Sequence, residues 1–225
     1  MHQRNPYRAR IDFKLLAARF PKFANILDQN GKVDFSNRAH TILLTKCLLK
    51  RDYNLEIEFP DHSLSPSLTL KFNYLLWIED LMKSNDYEKI LRKEPNKVIG
   101  LDIGTGGAVL FPILATKHFG WTMLATESNK EDLEIALRNI ATNKLEDKIS
   151  AIYNPSDDAI FDVLFKTDHD ITGNITFSMT NPPFYDNDDY GKKLHNQSIL
   201  LKTRSPAPAP NACEYLIHYL PYNYN

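Results

Sequence analysis

The sequence predicts an α/β protein in which an N-terminal helical module precedes a Rossmann-like parallel sheet. Two observations support this fold class. From Lys97 onward, short apolar runs alternate with helix-length segments, whereas the chain up to residue 94 is helical and lacks this alternation. Alternating strands and helices form βαβ units, whose parallel strands share one sheet with helices on both faces. Ligands of such sheets bind at the carboxyl ends of the strands.

Three helices are expected in the N-terminal part of the chain. The first covers residues 11–27 and is stopped or bent at Pro21, which has no backbone N–H to donate. The second covers residues 37–54, and a short alternating piece follows at 55–59. The third covers residues 70–84, where apolar positions recur at three-and-four spacing. These positions are Leu70, Tyr74, Trp77, Ile78 and Leu81.

The alternating part begins with a short apolar run that ends in glycines, "KVIGLDIGTGG". After the second strand, Asn129 has the side chain of an N-cap residue and precedes an amphipathic helix. The expected elements after the glycines are a helix at 108–119, a strand at 121–128, a helix at 129–145, a strand at 148–154, a short helix at 156–166 and a strand at 174–184.

Composition describes an ordinary globular chain with a local concentration of basic residues. Hydrophobic residues make up 43% and charged residues 24%, and the net charge of −1 indicates no polyanionic partner for the chain as a whole. Residues 1–22 are nevertheless basic. Their charged side chains are Arg4, Arg8, Arg10, Lys14, Arg19 and Lys22, opposed by Asp12 alone.

The sequence also predicts a compartment. Cys47 and Cys213 stand in unrelated contexts and indicate neither a disulfide framework nor a zinc site. No apolar run reaches the roughly 18 residues of a membrane span. The start of the chain, "MHQRNPYRAR", lacks the apolar core of a signal peptide. We therefore expect a soluble intracellular protein that is neither secreted nor held in a membrane.

The first candidate motif is "LDIGTGG", residues 101–107. Glycines after a strand let the backbone turn tightly and approach a ligand beside the next helix N-terminus. A dinucleotide-binding G-x-G-x-x-G would need a third glycine where Val109 stands. The motif therefore fits NAD poorly and fits S-adenosylmethionine better, since that ligand has no pyrophosphate. A helix-capping turn without a ligand is the alternative interpretation.

The second candidate is Glu127, at the end of the next predicted strand. An acidic residue about 20 positions after such glycines accepts hydrogen bonds from the hydroxyls of a ribose in nucleotide-binding folds. The alternative is a solvated acidic helix cap. The position of Glu127 relative to the glycines favours the ribose.

The third candidate is "NPPF", which follows the last predicted strand. A conjugated amino group is a weak nucleophile because its lone pair is delocalised, and acceptors directed at its N–H groups favour the pyramidal, nucleophilic form. The Asn181 side-chain oxygen and the Pro182 carbonyl are suitable acceptors. Pro182 and Pro183 have a fixed φ and no competing donor, and Phe184 would stack on a flat substrate. A proline-rich strand exit without chemistry is the alternative.

Together these motifs resemble the class I S-adenosylmethionine-dependent methyltransferases. More narrowly, the chain resembles the U6 small nuclear RNA adenine-N6 methyltransferase family, which is related to bacterial 23S ribosomal RNA adenine-N6 methyltransferases. The resemblance rests on "MHQRNPY", "LKFNYLLWIEDL", "GLDIGTGG", "LATE", "NPPFY" and "KTRSPAPAP". It implies S-adenosylmethionine as the cofactor, adenine N6 of a U6-like RNA hairpin as the acceptor and the nucleus as the compartment, with the cytoplasm as a second one.

The resemblance also implies roles for individual residues. Catalysis would rest on Asn181 to Phe184. RNA would bind the basic N-terminal module through Arg4, Arg8, Arg10 and Lys14, with an affinity that falls as salt rises. No metal is implied. The cofactor-binding residues would be Lys71 (often arginine in the family), Gly104, Gly106, Ala108, Glu127, Asp158 and Asn181.

The predicted organisation has three parts. Residues 1–94 form the helical RNA-binding module, 95–185 the Rossmann-like methyltransferase core, and 186–225 a loop with a proline-rich, shortened C-terminal segment. A complete sheet of this class has more strands than the sequence predicts here. We therefore expect the C-terminal strands to be missing and one sheet edge to be exposed.

Two other functions remain open. An RNA-binding protein that keeps the scaffold without turnover, or with weak turnover, would suit the short C-terminal segment. A protein glutamine N5-methyltransferase would use the same amide-binding motif, but that class usually carries tyrosine in place of Phe184 and needs no basic module. An NAD dehydrogenase is disfavoured by Val109.

Overall fold

Four helices precede the sheet in the part of the chain that this computed structural model describes. The described residues are 1–63, 66–83, 98–155 and 175–181. The helices are α1 (Phe13–Arg19), α2 (Pro21–Ala24), α3 (Arg38–Tyr53) and α4 (Leu68–Lys83). The expected break at Pro21 is confirmed, because this residue opens α2 in the first turn, where a missing N–H costs little. Asp12 and Asn37 cap α1 and α3 with their side-chain oxygens.

The N-terminal segment is tied to α3 and α4 by side-chain hydrogen bonds. Asn5 is buried, and its Nδ2 donates to Thr69 O at 2.9 Å and to Asn73 Oδ1 at 2.8 Å. The Tyr7 hydroxyl donates to Asp52 Oδ2 at 3.0 Å. Burial, reinforced by the Asp52 carboxylate, raises the pKa of Tyr7, so the phenol keeps its proton and remains a donor. The first residues of the chain therefore join two helices.

Helix α4 is apolar on more than one side. Leu70 is 67% exposed and Trp77 is 45% exposed, although both belong to the apolar spacing of the sequence, which normally faces a core. Packing rather than spacing has selected the buried side. The side chains of α4 that are buried are Leu68, Phe72, Leu75, Leu76, Ile78 and Met82. No helix among the described residues is both long and apolar enough to cross a bilayer.

The predicted parallel sheet is confirmed. Its strands are β1 (Ile99–Ile103), β2 (Thr122–Glu127), β3 (Ile149–Tyr153) and β4 (Phe177–Thr180). They lie in the order β3-β2-β1-β4, and every neighbouring pair is parallel. Because β1 pairs with β2 on one side and with β4 on the other, the strand order reverses at β1. Sheets of this kind bind their ligands at that switch point.

Two helices connect the first three strands. Helix α5 (Leu110–Leu114) continues as a π-helical turn (Ala115–Phe119), and α6 is Lys130–Thr142. Asn129 caps α6 as expected, since its Oδ1 accepts hydrogen bonds from the first N–H groups of that helix at 2.9 and 3.2 Å. The helix expected at 156–166 lies outside the described residues, as does the chain beyond residue 181.

An extended segment within the helical module, residues 55–59, is hydrogen-bonded to the core. Leu55, Ile57 and Phe59 are buried and the two glutamates between them are exposed, which agrees with the alternation in the sequence. The segment is not part of the sheet. The backbone N–H and C=O groups of these two glutamates are instead hydrogen-bonded by two asparagine side chains, one in α6 and one directly after it.

Asn139 and Asn143 provide this pairing. Asn139 Oδ1 accepts from Glu58 N at 2.8 Å, and its Nδ2 donates to Glu58 O and to Gly107 O, both at 2.9 Å. Asn143 makes the equivalent pair with Glu56, at 2.9 and 2.8 Å. Asn139 is only 2% exposed, so water does not replace these bonds. One amide therefore links the module, α6 and the glycine loop.

Replacing Asn139 with aspartate should destabilise the fold. The substitution keeps the shape but removes both N–H donors and places a charge in a buried site, so we expect a loss of about 2–4 kcal/mol in the free energy of unfolding. Urea denaturation measures this loss. Asn143→Asp is the matched control, because that side chain is only partly buried and should cost about 1 kcal/mol. Equal losses would show that burial does not set the strength of the link.

Candidate active site

The strand register brings three of the predicted site residues to one edge of the sheet. Ile103, the last residue of β1, pairs with Thr126 of β2 and with Thr180 of β4. The residues that come next on these three strands are Gly104, Glu127 and Asn181. The candidate cofactor and substrate residues therefore lie at the same level across the switch point.

The glycine loop combines two kinds of glycine. Gly104 and Gly106 have φ values of 71° and 69°, in the left-handed region that favours glycine, and a Cβ on either would meet nothing within 4 Å. Gly107 is required by packing, because a Cβ there would lie 2.6 Å from Pro60 Cγ and 3.0 Å from Asp132 Oδ1. The first two glycines thus leave open space beside the loop, and Gly107 allows the close approach of α6.

Val109 occupies the position at which a dinucleotide-binding fold would have its third glycine. It is fully buried and has a φ of 44°. A left-handed backbone costs an L-residue about 1–2 kcal/mol. Because Gly107 provides the close helix contact, no glycine is needed at Val109, and the apolar side chain contributes to the core instead.

Glu127 holds the glycine loop in place. Its Oε2 accepts a hydrogen bond from Gly106 N at 2.7 Å, and its Oε1 accepts from Ser128 N at 2.8 Å and Asn129 N at 2.9 Å. A carboxylate has about four acceptor positions, so about one remains for a ligand. The predicted hydrogen bonds from both ribose hydroxyls to Glu127 therefore compete with a structural role that the sequence did not reveal.

A cavity of about 720 Å³ opens beside the loop, and it contains four of the predicted residues. Its volume lies within the range of small-molecule sites, about 300–1,000 Å³. Glu127 adjoins the cavity through its hydrogen bond to Gly106. The predicted residues in the lining are Lys71, Gly106, Ala108 and Asn181. The other predicted site residues, Asp158, Pro182, Pro183 and Phe184, lie outside the described residues, and their roles stay predictions.

Lys71 supplies the positive charge of this cavity. The side chain is half-buried, and Nζ lies 3.8 Å from the centre of the Phe111 ring, at cation–π distance. Burial lowers the pKa of Lys71 to about 8, while the Asp102 carboxylate acts in the opposite direction. The ammonium is therefore poorly solvated and available to an anionic group of a ligand.

Asp102 is a buried acidic residue that interacts electrostatically with Lys71, and the sequence interpretation did not single it out. It is 1% exposed in β1, and its Oδ2 has no hydrogen-bond partner among the described residues. Burial raises the pKa of Asp102 to about 6, against the opposing influence of Thr105 and Lys71. The only signal in the sequence was an acidic residue inside an otherwise apolar strand. Among the described residues, no cluster of side chains is suited to hold a metal ion.

The basic N-terminal residues have two different environments. Arg4 forms ion pairs with Glu79 and Asp80 of α4, so its charge is compensated within the protein. Arg8, Arg10 and Lys14 are exposed. Their predicted contact with RNA remains a prediction, but the structure leaves these three side chains facing solvent.

The sheet order, the glycine loop after β1, the acidic residue at the end of β2 and the asparagine after β4 define a class I methyltransferase fold. More particularly, the chain belongs to the RNA methyltransferase family, whose sequence profile matches residues 1–212. The chain is 37% identical over 192 residues to the U6 small nuclear RNA (adenine-(43)-N(6))-methyltransferase of Caenorhabditis elegans, covering 83% of this chain and 38% of that relative. The chain thus spans well under half of the worm protein.

Solved structures of human METTL16 have the same fold. Its N-terminal domain in complex with SAH superposes with a TM-score of 0.71 at 30% identity, over 89% of this chain and 79% of that one. Its catalytic domain in complex with the MAT2A 3'UTR hairpin 6 gives a TM-score of 0.69 at 30% identity, over 93% of this chain and 67% of that one. The resemblance read from the sequence motifs is therefore confirmed at the level of family and fold.

Replacing Arg4 with alanine should reduce stability. The substitution leaves Glu79 and Asp80 without their shared cation, and for such a partly exposed network we expect a loss of about 1 kcal/mol in the free energy of unfolding. Arg8→Ala serves as the control and should leave unfolding unchanged. Thermal unfolding at low and high salt distinguishes the two, because the Arg4 contribution should shrink as salt screens the pairs. An unchanged Arg4 variant would exclude a structural role.

Proposed function

We propose that this chain is an S-adenosylmethionine-dependent RNA methyltransferase that forms N6-methyladenosine in structured RNA such as a U6 small nuclear RNA hairpin. The observation that carries the proposal is the position of Asn181. It follows β4 beside Gly104 and shares one cavity with Lys71 and the glycine loop. The names of the worm relative and the human structures with SAH and with an RNA hairpin support the same reading.

The residues present fit the cofactor. S-adenosylmethionine supplies a methyl group on a sulfonium and carries an amino-acid carboxylate, for which the Lys71 ammonium is the matching charge. Gly104 and Gly106 leave room for the ligand because neither has an atom within 4 Å of its Cβ position. The cofactor-binding set is completed by Ala108 in the same cavity and by Asp158 outside the described residues.

Glu127 would bind the ribose through a single acceptor position. Three backbone N–H groups already occupy the rest of its carboxylate. The same side chain would therefore hold the loop and one hydroxyl of the ligand. This arrangement preorganises the loop before the cofactor arrives.

The acceptor amine would be held by the residues after β4. The Asn181 side-chain oxygen and the Pro182 carbonyl accept hydrogen bonds from the exocyclic N–H groups and favour the pyramidal form of the amine. Pro183 would limit the backbone conformations at this point and Phe184 would stack on the base, although both lie outside the described residues. No strong general base is needed, because the methylated ammonium product is itself acidic and loses its proton readily.

Structured RNA would bind across the N-terminal module. Arg8, Arg10 and Lys14 provide exposed positive charge for phosphates. Arg4 would act mainly by fixing the N-terminal segment to α4, since its guanidinium is already paired. For the compartment we propose the nucleus, because the RNA in the name of the worm relative is a small nuclear RNA. The proposal keeps the organisation expected from the sequence, with the RNA-binding module in residues 1–94 and the methyltransferase core in residues 95–185.

Cofactor affinity should weaken in alkaline solution because Lys71 loses its proton. Its pKa is lowered to about 8, so the charged form that pairs with a carboxylate dominates below this pH and is lost above it. We expect the Kd for S-adenosylmethionine to rise about tenfold between pH 7 and pH 9. Isothermal titration calorimetry measures this change. Lys71→Arg should remove most of this rise in Kd, since a guanidinium stays protonated. An identical pH profile in both proteins would contradict the role of Lys71.

Asn181→Ala should lower methyl transfer by about 100-fold, the scale expected when one preorganised hydrogen bond to the reacting group is removed. The assay is transfer of a labelled methyl group from S-adenosylmethionine into an RNA hairpin with an unpaired adenine. RNA affinity should stay near that of the wild type, because phosphate contacts lie elsewhere. Wild-type protein that binds both ligands without transfer would indicate a binding protein, and transfer into protein alone would indicate a glutamine methyltransferase.

A further inference from the structure

Two exposed apolar side chains of α4, Leu70 and Trp77, line the same cavity as Asn181. They lie two helical turns apart on one face, and they are 67% and 45% exposed. Tyr74 lies between them and also lines the cavity. We call these three residues the α4 rim. Exposed apolar groups collected at the edge of a ligand cavity mark a binding surface.

Tyr74 links Trp77 to the strand that precedes Asn181. The Trp77 ring stacks on Tyr74 with centroids 6.2 Å apart and an interplanar angle of 27°. Tyr74 meets the Phe111 ring edge-on at 5.5 Å, and its hydroxyl donates to Thr180 O at 3.5 Å. Thr180 directly precedes Asn181. The tyrosine ring therefore separates the indole from the residue that would hold the acceptor amine.

The charges beside the α4 rim do not oppose a polyanion. Glu79 and Asp80 follow Trp77 on the helix, but both carboxylates pair with Arg4, and Lys83 Nζ lies 2.7 Å from Glu79. Their negative charge is compensated locally. An RNA strand approaching the rim therefore meets an apolar, aromatic surface without net repulsion from these carboxylates.

We propose that Trp77 is the stacking platform for the RNA nucleotide next to the adenosine that is methylated. This inference rests on the proposed function, because it takes RNA as the substrate. Every base has a flat face that stacks on an aromatic ring, so such a platform orders a strand without reading its sequence. The intervening Tyr74 ring places the platform beside, and not at, the position of the target base.

Tryptophan fluorescence tests the contact directly, because the chain contains only two tryptophans. Trp121, the second one, is 2% exposed. The probe is a hairpin RNA with an unpaired adenine in its loop. Titration should quench the emission of the wild type, since a stacked base quenches an indole, and should leave Trp77→Phe nearly unchanged. Equal quenching in both proteins would overturn the inference.

An affinity cycle tests the platform without relying on emission. The second RNA is the same hairpin with an abasic ribose next to the adenine, prepared in separate versions for the 5' and the 3' neighbour. Wild type should bind one abasic version about tenfold more weakly than the intact hairpin. Trp77→Ala should bind the intact hairpin about tenfold more weakly than the wild type does. It should lose little further affinity when the same abasic version replaces the intact hairpin. Leu137→Ala, another exposed apolar residue at 46% but on α6, is the matched control and should bind all RNAs as the wild type does.

The outcomes separate this inference from the proposed function. If Trp77→Ala binds every RNA like the wild type while its Tm falls, Trp77 packs under another part of the protein, and only the inference fails. If its affinity for S-adenosylmethionine falls while its RNA affinity does not, Trp77 belongs to the cofactor pocket and the inference is again wrong. If the wild type binds S-adenosylmethionine but no RNA, the proposed substrate fails together with the platform.

Discussion

The pairing of β1 with both β2 and β4 is the constraint on which the site depends. Parallel ladders place the carboxyl ends of neighbouring strands at one edge, and here the register aligns Ile103 with Thr126 and Thr180. Gly104, Glu127 and Asn181 are far apart in sequence, but they lie together because each directly follows one of these three paired residues. A slip of one residue in either ladder would turn the side chains that leave the sheet to its opposite face. The chemistry of the cavity thus depends on backbone hydrogen bonds that contain no catalytic group.

Three charged side chains that would be costly to bury in a core lie near this edge of the sheet. They are Glu127, Lys71 and Asp102. Glu127 accepts hydrogen bonds from three backbone N–H groups and holds the glycine loop. Lys71 and Asp102 remain less well satisfied, and burial moves the pKa of each toward neutrality, to about 8 and about 6. Groups whose charge is poorly solvated gain the most from a ligand that pairs with them. Glu127 belongs to the scaffold, whereas Asp102 Oδ2 has no hydrogen-bond partner within the described part of the chain and Lys71 Nζ lies over the Phe111 ring.

The helical module is more than an attachment to the core. Asn139 bonds both to the extended segment before α4 and to the glycine loop, so the module is coupled to the cofactor side of the cavity. Helix α4 contributes Lys71 and the rim residues to the cavity, and Asn73, which lines the same cavity, holds the N-terminal segment. A single helix therefore connects the surface proposed for RNA to the wall of the cavity proposed for the cofactor.

The sequence by itself determined the alternation of strands and helices, the cap at Asn129 and the order of the motifs, because these depend on local periodicity and on side chains acting within a few residues of themselves. It did not determine which side of α4 is buried, since apolar residues occur on two sides and only packing chooses between them. Nor did it reveal that Arg4 is paired or that Glu127 supports the loop, because their partners are distant in sequence or are backbone groups without a residue signature. Tertiary structure decided these points, since contacts between remote segments leave no periodic trace in a single chain.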